Sequence, residues 1–200
     1  MAYNLVDTGQ YRPRAGLGSG DAGVFRMLFV GSVGRRKQPH IVIEACAGLR
    51  DGGVDATLVL VGPFEDALYE KELRAMVSRL GLDSHVTFAG LSEFPLKYFQ
   101  DASVFVLPSH SEGMPGAMSE AMACGLPVVV SAAGAMPEVI EAADCGIVIK
   151  DFDVASWTSA LMDLNAAQSR MREMSINGRK FAEEYMAPRV LAARIQEYVQ

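Results

Sequence analysis

Six short, continuously apolar runs recur along this chain, at 26–31 (RMLFVG), 56–62 (ATLVLVG), 85–90 (HVTFAG), 103–108 (SVFVLP), 127–131 (PVVVS) and 146–150 (GIVIK). A strand with one face in water alternates apolar and polar residues, whereas a run without that alternation is buried on both faces. Two buried faces need a layer of helices on each side. The intervening stretches 39–50, 66–80, 93–100, 115–124, 135–143 and 153–165 carry helix-like sequence. Strands joined through helices run parallel, with right-handed crossovers. The pattern therefore predicts an α/β fold, a Rossmann-like parallel sheet with helices on both faces. Residues 168–198 add one or two further helices, with Pro188 a break. Polar, Gly-rich residues 1–25 read as a linker or mobile terminus, 26–186 as the folded ligand-binding domain, and 187–200 as a C-terminal helix.

Charge narrows what such a domain can bind. Lys and Arg number 18 against 24 Asp and Glu, a net charge of −6, which argues against the basic surface of a nucleic-acid binder. An anionic ligand has to be caught locally, by a few cations and backbone N–H groups. Half of the residues are hydrophobic, enough for a core that needs neither a disulfide nor a structural metal. Cys46, Cys124 and Cys145 form no CxxC pair and read as small buried thiols in a reducing compartment. His40, His85 and His110 are scattered, without HExxH spacing. No stretch has the apolar length of a membrane-spanning helix and the first residues lack a signal-peptide pattern, so a cytoplasmic location is expected.

In open parallel sheets, ligands sit at the carboxyl ends of the strands, which selects the loops 31–38, 62–65, 90–93 and 108–115. GSGDAG at 18–23 satisfies G-x-G-x-x-G but precedes the first strand instead of following one, and reads as a spacer. The loop GSVGRRKQPH offers Gly31 and Gly34 for an open turn, then Arg35, Arg36 and Lys37, with Pro39 suited to a first helical turn. A lysine there reaches a phosphate as a point charge, while helix N–H groups add donors. The Gly-Lys-Ser/Thr ending of a P-loop is missing, and a solvated basic turn fits the same residues equally well.

The segment 108–131, PSHSEGMPGAMSEAMACGLPVVVS, is the most informative. Pro115 opens a helix whose Met118 and Met122 form a core stripe, and Gly125-Leu126-Pro127 closes it. Two carboxylates stand out. Glu112 sits in the loop at the carboxyl edge of the sheet. Glu120 lies inside the helix, with only Gly116, Ala117, Ala123 and Cys124 three and four residues away. A half-buried carboxylate among small residues needs a partner. A ligand hydroxyl and a structural backbone N–H both qualify, and the residues do not choose between them.

The spacing Glu112–x7–Glu120 within EGMPGAMSEAMACGLPVVVS resembles the E-x7-E signature of retaining glycosyltransferases of family 4, which have the GT-B fold. YNLVDTGQYRPR resembles the linker entering their second domain, and RMLFVGSVGRRKQP their first strand and phosphate loop. LVLVGP, VTFAG, YFQDASVFVLPS and PEVIEAADCGIVI follow in order, so the resemblance covers residues 3–200. It implies the C-terminal, donor-binding half of a GT-B enzyme, taking a nucleoside diphosphate sugar that carries UDP or GDP. Carried over residue by residue, Lys37 resembles the lysine that binds the donor diphosphate and supports catalysis. Glu112 resembles the first glutamate, placed near the donor sugar, and Glu120 the second, which accepts hydrogen bonds from ribose hydroxyls. The N–H groups of Met114, Gly116 and Ala117 fall where the family's helix start faces the phosphates. Ala89 and Gly90 resemble the wall that contacts the base. The resemblance implies no metal and no cofactor, because basic side chains and a helix N-terminus neutralise the leaving diphosphate.

One departure concerns the phosphate loop. The family usually has Arg directly after the strand-ending glycine, where this chain has Ser32. The second diphosphate cation is then missing unless Arg35 or Arg36 replaces it. Nothing before residue 26 could form an acceptor-binding domain, so that half is expected elsewhere, with any peripheral contact to the inner face of a membrane made through it. The 200-residue chain alone is expected to be inactive. Rival readings are a sugar-nucleotide epimerase of the same fold, a non-catalytic sugar-nucleotide-binding module, and a Rossmann-like interaction domain without a nucleotide.

Overall fold

The computed structural model describes residues 4–14 and 23–190. After an N-terminal segment, strands β1 (Phe25–Val30), β2 (Ala56–Val61) and β3 (Val86–Gly90) alternate with helices α1 (Pro39–Asp51), α2 (Ala67–Arg79) and α3 (Leu96–Asp101). The second half repeats the pattern with β4 (Val104–Leu107), α4 (Gly116–Ala123), β5 (Val128–Ser131), α5 (Met136–Ala143) and β6 (Gly146–Ile149). Helices α6 (Val154–Ala166) and α7 (Gln168–Phe181) complete it, α7 running on into a π-helical turn at Ala182–Met186. The expected helix boundaries lie within three residues of these. GSGDAG falls outside the described residues except for Gly23, as does the proposed C-terminal helix beyond residue 190.

All six strands are parallel and lie in the order β3-β2-β1-β4-β5-β6. Every residue of β4 and β5 is buried, as their unbroken apolar sequences require. The core includes Phe29, Phe99, Phe105 and Trp157, all fully buried between sheet and helices. Cys46, Cys124 and Cys145 are free, buried thiols, and burial pushes each up to about 12.

The strand order has one consequence for function. The chain builds outward from β1 through β2 to β3, then returns to lay β4 on the other side of β1. The loops leaving β1 and β4 therefore diverge, and a crevice opens between them at the carboxyl edge. The β1 loop also meets the β2 loop closely. A Cβ at Gly62 would lie 2.0 Å from the Gly31 carbonyl oxygen, and Gly62 has a φ of 144°. Only glycine fits that approach.

Residues 4–14 belong to the segment expected as a linker or mobile terminus. They lie along α4 as a strap. Asn4 Nδ2 donates to the Met114 carbonyl, Val6 N to the Met186 carbonyl at 3.0 Å, and the Pro13 ring packs near Gly125. Arg179 of α7 fastens the strap, donating to the carbonyls of Tyr11 (2.7 Å), Thr8 (3.0 Å) and Ala123 (2.6 Å). Its charge is matched by Glu183 at 2.6 Å. The polar composition of this segment gave no helical or strand period because its partners are distant carbonyls and a guanidinium. Among the described residues, no helix is long and apolar enough to cross a membrane.

Arg179→Met keeps most of the stem volume and removes all three carbonyl bonds. A single hydrogen bond to a charged group is worth about 1.5–3 kcal/mol, so unfolding by denaturant is expected to show a loss of at least that size. Proteolytic cleavage within residues 4–14 should accelerate in parallel.

Candidate functional site

The site begins with the β1 loop. Val33 N donates to the Pro63 carbonyl at 2.8 Å and Glu65 N to the Val33 carbonyl at 3.2 Å, so the loop is pinned to its β2 neighbour. A short 3-10 turn at Arg35–Lys37 follows, and Gln38, with φ 48°, hands the chain to α1 with Pro39 at its start. The three consecutive cations separate. Arg35 turns outward, making two 2.8 Å bonds to Glu72 and covering the Tyr69 ring at 4.4 Å. Arg36 and Lys37 turn into the crevice, where both reach Glu112 Oε1, at 3.1 and 3.2 Å. Lys37 crosses directly over Gly31, where a Cβ would lie 2.8 Å from Nζ.

Glu112 is held from the other side by the β4 loop. His110 N donates to the Arg36 carbonyl at 2.9 Å, and Arg36 Nη1 also donates to the Ser111 carbonyl. Ser131 at the end of β5 donates its hydroxyl to the Ser109 carbonyl. Ala135 N donates to the Gly113 carbonyl at 2.9 Å. Gly134, at φ 55°, lets the chain pass so close that a Cβ would lie 2.1 Å from the Glu112 carbonyl oxygen. The Glu112 backbone is therefore held between neighbouring loops, while its carboxylate is held by Arg36 and Lys37 of the β1 loop. Its side chain is 10% exposed, and that of Lys37 11%.

Pro115, in an extended conformation, precedes α4 and supplies no side-chain cap. The first N–H groups of the helix therefore remain available as donors at its positive end. Met118, Ser119, Ala121, Met122 and Ala123 are buried, while Gly116, Ala117 and Glu120 share the less buried stripe. Met114 precedes them, with its carbonyl held by Asn4. Glu120 is half-buried. Burial raises its carboxyl above the usual range, and a hydrogen bond from the Tyr11 hydroxyl offsets part of that rise. Tyr11 of the strap thus bears on Glu120 electrostatically, a neighbour that the sequence reading did not single out. An aromatic residue within an otherwise polar segment was the available signal.

Ser32 donates to Glu65 Oε1 at 2.5 Å. A carboxylate accordingly sits where the sequence comparison looked for a second cation. Ala89 and Gly90 end β3, two strands from β1 along the same carboxyl edge. Leu91 and Phe94 just beyond them are 78% and 76% exposed, an apolar rim that sequence patterning did not single out. Lys37, Arg36 and Glu112 are thus brought into contact, Gly116, Ala117 and Glu120 follow on α4, and Met114 lies just before it. Arrangements of this kind bind an anion through two cations and free N–H groups, with a carboxylate in reach of the anion's substituent.

Residues 21–181 match the family of glycosyl transferases group 1. A D-inositol 3-phosphate glycosyltransferase of Arthrobacter sp. (strain FB24) is 29% identical over 198 residues, 96% of this chain and 47% of the relative. A GDP-mannose-dependent alpha-(1-6)-phosphatidylinositol monomannoside mannosyltransferase of Mycolicibacterium smegmatis is 31% identical, covering 96% of this chain and 53% of its own length. The chain spans about half the length of these curated relatives. Among solved structures, Anabaena Alr3699/HepE in complex with UDP superposes with a TM-score of 0.87 at 23% identity, over 99% of this chain and 56% of that one. The C-terminal domain of the group 1 glycosyl transferase LpcC from Francisella tularensis, at 23% identity and a TM-score of 0.77, is covered over 99% of its length. The fold is that of GT-B glycosyltransferases.

The raised carboxyl of Glu120 carries a pH signature. A carboxyl whose folded value lies above its unfolded value binds protons more tightly when folded. Its ionised form therefore lowers stability above the folded value, and the penalty disappears as pH falls below the unfolded one. Glu120→Gln removes the penalty without changing shape. Its denaturation midpoint is expected to exceed that of the parent chain at pH 8 and to converge with it near pH 4. A variant no more stable at pH 8 would contradict the burial described here.

Proposed function

The chain belongs to the group 1 glycosyl transferases, and we propose that it is the donor-binding domain of a retaining, family 4 type enzyme. In this reading the enzyme transfers a sugar from a nucleoside diphosphate sugar to an acceptor held by a second domain outside these 200 residues. One observation carries the reading: Arg36 and Lys37 converge on Glu112 in the crevice where the strand order reverses. A GDP-mannose-dependent relative and a UDP-bound structure of the same fold support a nucleoside diphosphate as the ligand class.

In the proposed reaction the bond between the anomeric carbon and the diphosphate oxygen breaks, and negative charge grows on the departing phosphate. Preorganised cations and N–H groups stabilise that charge more than they stabilise the bound donor. Lys37, Arg36 and the N–H groups of Gly116 and Ala117 fill this role. Arg36 stands in for the guanidinium that Ser32 lacks, because it reaches Glu112 beside Lys37, whereas Arg35 is directed to Glu72 on α2. Glu112, beside the same two cations, accepts hydrogen bonds from the donor sugar, and Glu120 from the ribose. Ala89 and Gly90 flank the base. With these groups neutralising the diphosphate, the reaction as proposed uses no cofactor. A non-catalytic binding module is the competing reading, favoured by the Ser32–Glu65 contact. Transfer by this chain joined to an acceptor-binding domain would exclude it.

Calorimetric titration of UDP and GDP tests the assignment. Arg36→Ala is expected to weaken binding by about 1.5–3 kcal/mol and to flatten its salt dependence. Arg35→Ala should leave affinity nearly unchanged, and equal losses for the two variants would remove Arg36 from the site. Glu112→Gln frees both cations, so bare diphosphate should bind at least as well while the intact sugar donor loses affinity. A loss for bare diphosphate matching that for the donor would overturn the placement of Glu112 at the sugar.

A further inference from the structure

The loop leaving β2 sends a carboxylate across the loop leaving β1. Val33 and Phe64 form a parallel bridge between the two loops, and Glu65 N donates to the Val33 carbonyl at 3.2 Å. The Phe64 ring packs on Phe88 of β3 with centroids 5.3 Å apart, and the Arg74 guanidinium of α2 lies over Phe88 at 4.9 Å. Backbone and ring thus set the direction of the next side chain. The Glu65 carboxylate accepts the Ser32 hydroxyl at 2.5 Å and lies against Gly34, where a Cβ would stand 1.9 Å from Oε2. Gly34 has an ordinary extended backbone, with φ −135°. A methyl group there would suit the chain and displace the carboxylate.

The place matters because of what lies beside it. Lys37 Nζ rests over Gly31, immediately before Ser32, so the stretch 31–34 carries a cation at one end and a carboxylate along the rest. Arg36 and Lys37 are both drawn to Glu112 Oε1. Among the described residues no Lys, Arg or His forms an ion pair with Glu65, so its charge is left uncompensated at the crevice.

We propose that Glu65 is a specificity-determining residue that disfavours a bare nucleoside diphosphate relative to the intact sugar donor, and so favours release of the nucleotide after transfer. The inference rests on the reading that Lys37 takes the donor diphosphate. The outer phosphate of a bare diphosphate is a monoester carrying a charge of about −1.5 to −2 near pH 7. Esterified to a sugar, the same phosphate carries a single negative charge. When an acceptor hydroxyl replaces the diphosphate at the anomeric carbon, its proton leaves to solvent and the electron pair of the broken bond stays on the phosphate oxygen. The product is therefore the more anionic ligand, and a carboxylate fixed beside Lys37 repels it more than the donor. A guanidinium at the position of Ser32 would do the reverse and hold the product tighter. Because Glu65 is exposed, water and salt screen the repulsion and keep it modest.

Glu65→Gln keeps the length of the side chain and an oxygen for the Ser32 hydroxyl, and removes only the charge. Calorimetric affinities for UDP, UDP-glucose, GDP and GDP-mannose would be compared for the parent chain, Glu65→Gln and Asp83→Asn, with a chelator present and at low and high salt. Asp83 makes a similar contact, to the Ser78 hydroxyl at 2.6 Å, but precedes β3 at the opposite end of the sheet and controls for net charge. Glu65→Gln is expected to tighten the bare diphosphate about three- to tenfold at low salt and its sugar-bearing form by less than about twofold, with the gain shrinking as salt rises. Asp83→Asn should change neither. Equal tightening of both ligands, a gain matched by Asp83→Asn, or affinities that Glu65→Gln leaves unchanged or weakens would overturn the proposal. Added magnesium that tightens the parent chain but not Glu65→Gln would also overturn it, because Glu65 would then join the phosphate through a cation. In each of these cases nucleotide binding by the parent chain leaves the donor-binding reading standing. A parent chain that binds none of the four nucleotides would overturn both.

Discussion

A parallel sheet covered by helices on both faces leaves only its two ends in water, and this constraint decides where chemistry can occur. Every residue of β4 and β5 is buried, so neither face can present a polar group to a ligand. Function is displaced to the loops at the carboxyl edge. There the return of the chain from β3 to β4 opens the one gap between diverging loops that this topology produces. The close approach of Gly31 and Gly62 then fixes the shape of one wall, and that of Gly134 to Glu112 the other. Backbone contact, more than side-chain bulk, sets the width of the crevice.

Within it, charge is arranged in opposed pairs. The chain as a whole is acidic, with a net charge of −6, yet a shielded Lys37 and an exposed Arg36 both reach Glu112. Glu112 makes this possible. Two cations placed side by side repel, and an interposed carboxylate lets them remain at 3.1 and 3.2 Å from one oxygen. Because the lysine and the glutamate are mostly shielded, salt screens their attraction weakly. Arg35 shows the contrast: its bidentate pair with Glu72 faces solvent and contributes little beyond fixing the loop.

The fold was largely legible because unbroken apolar runs admit few architectures, and RMLFV, TLVLV and VVVS became β1, β2 and β5 within a residue or two. The Met118 and Met122 stripe is core, as its spacing indicated. Lys37 and Glu112, read from motif resemblance, do meet in space, although 75 positions apart in a sequence that pairs them by no local rule. Two things stayed hidden. Glu65 and Glu72 look like ordinary surface charges in sequence, since their roles depend on which loop lies across from them. Residues 4–14 carry no period at all, because hydrogen bonds to distant carbonyls leave no spacing to detect. Orientation of a segment by Arg179 from 168 to 171 residues away is a tertiary fact.

The strap changes how α4 should be understood. One side of this helix is anchored by Met118, Ala121 and Met122, none of them exposed, against the sheet. The helix is also packed by α7, with Gly178 against Met122 and Ser175 against Gly125, and the N-terminal segment adds a further contact. That contact runs from Met114 to Gly125, so the helix start and Glu120 are constrained from both directions. An eight-residue helix has too little intrinsic stability to hold a ligand-facing N-terminus still. Rigidity here comes from what packs around it: the sheet, α7 with its π-helical turn, and residues 4–14. The strap therefore packs on the same helix whose first N–H groups and Glu120 enter the proposed donor site, which makes it part of that site's surroundings and not an approach to it.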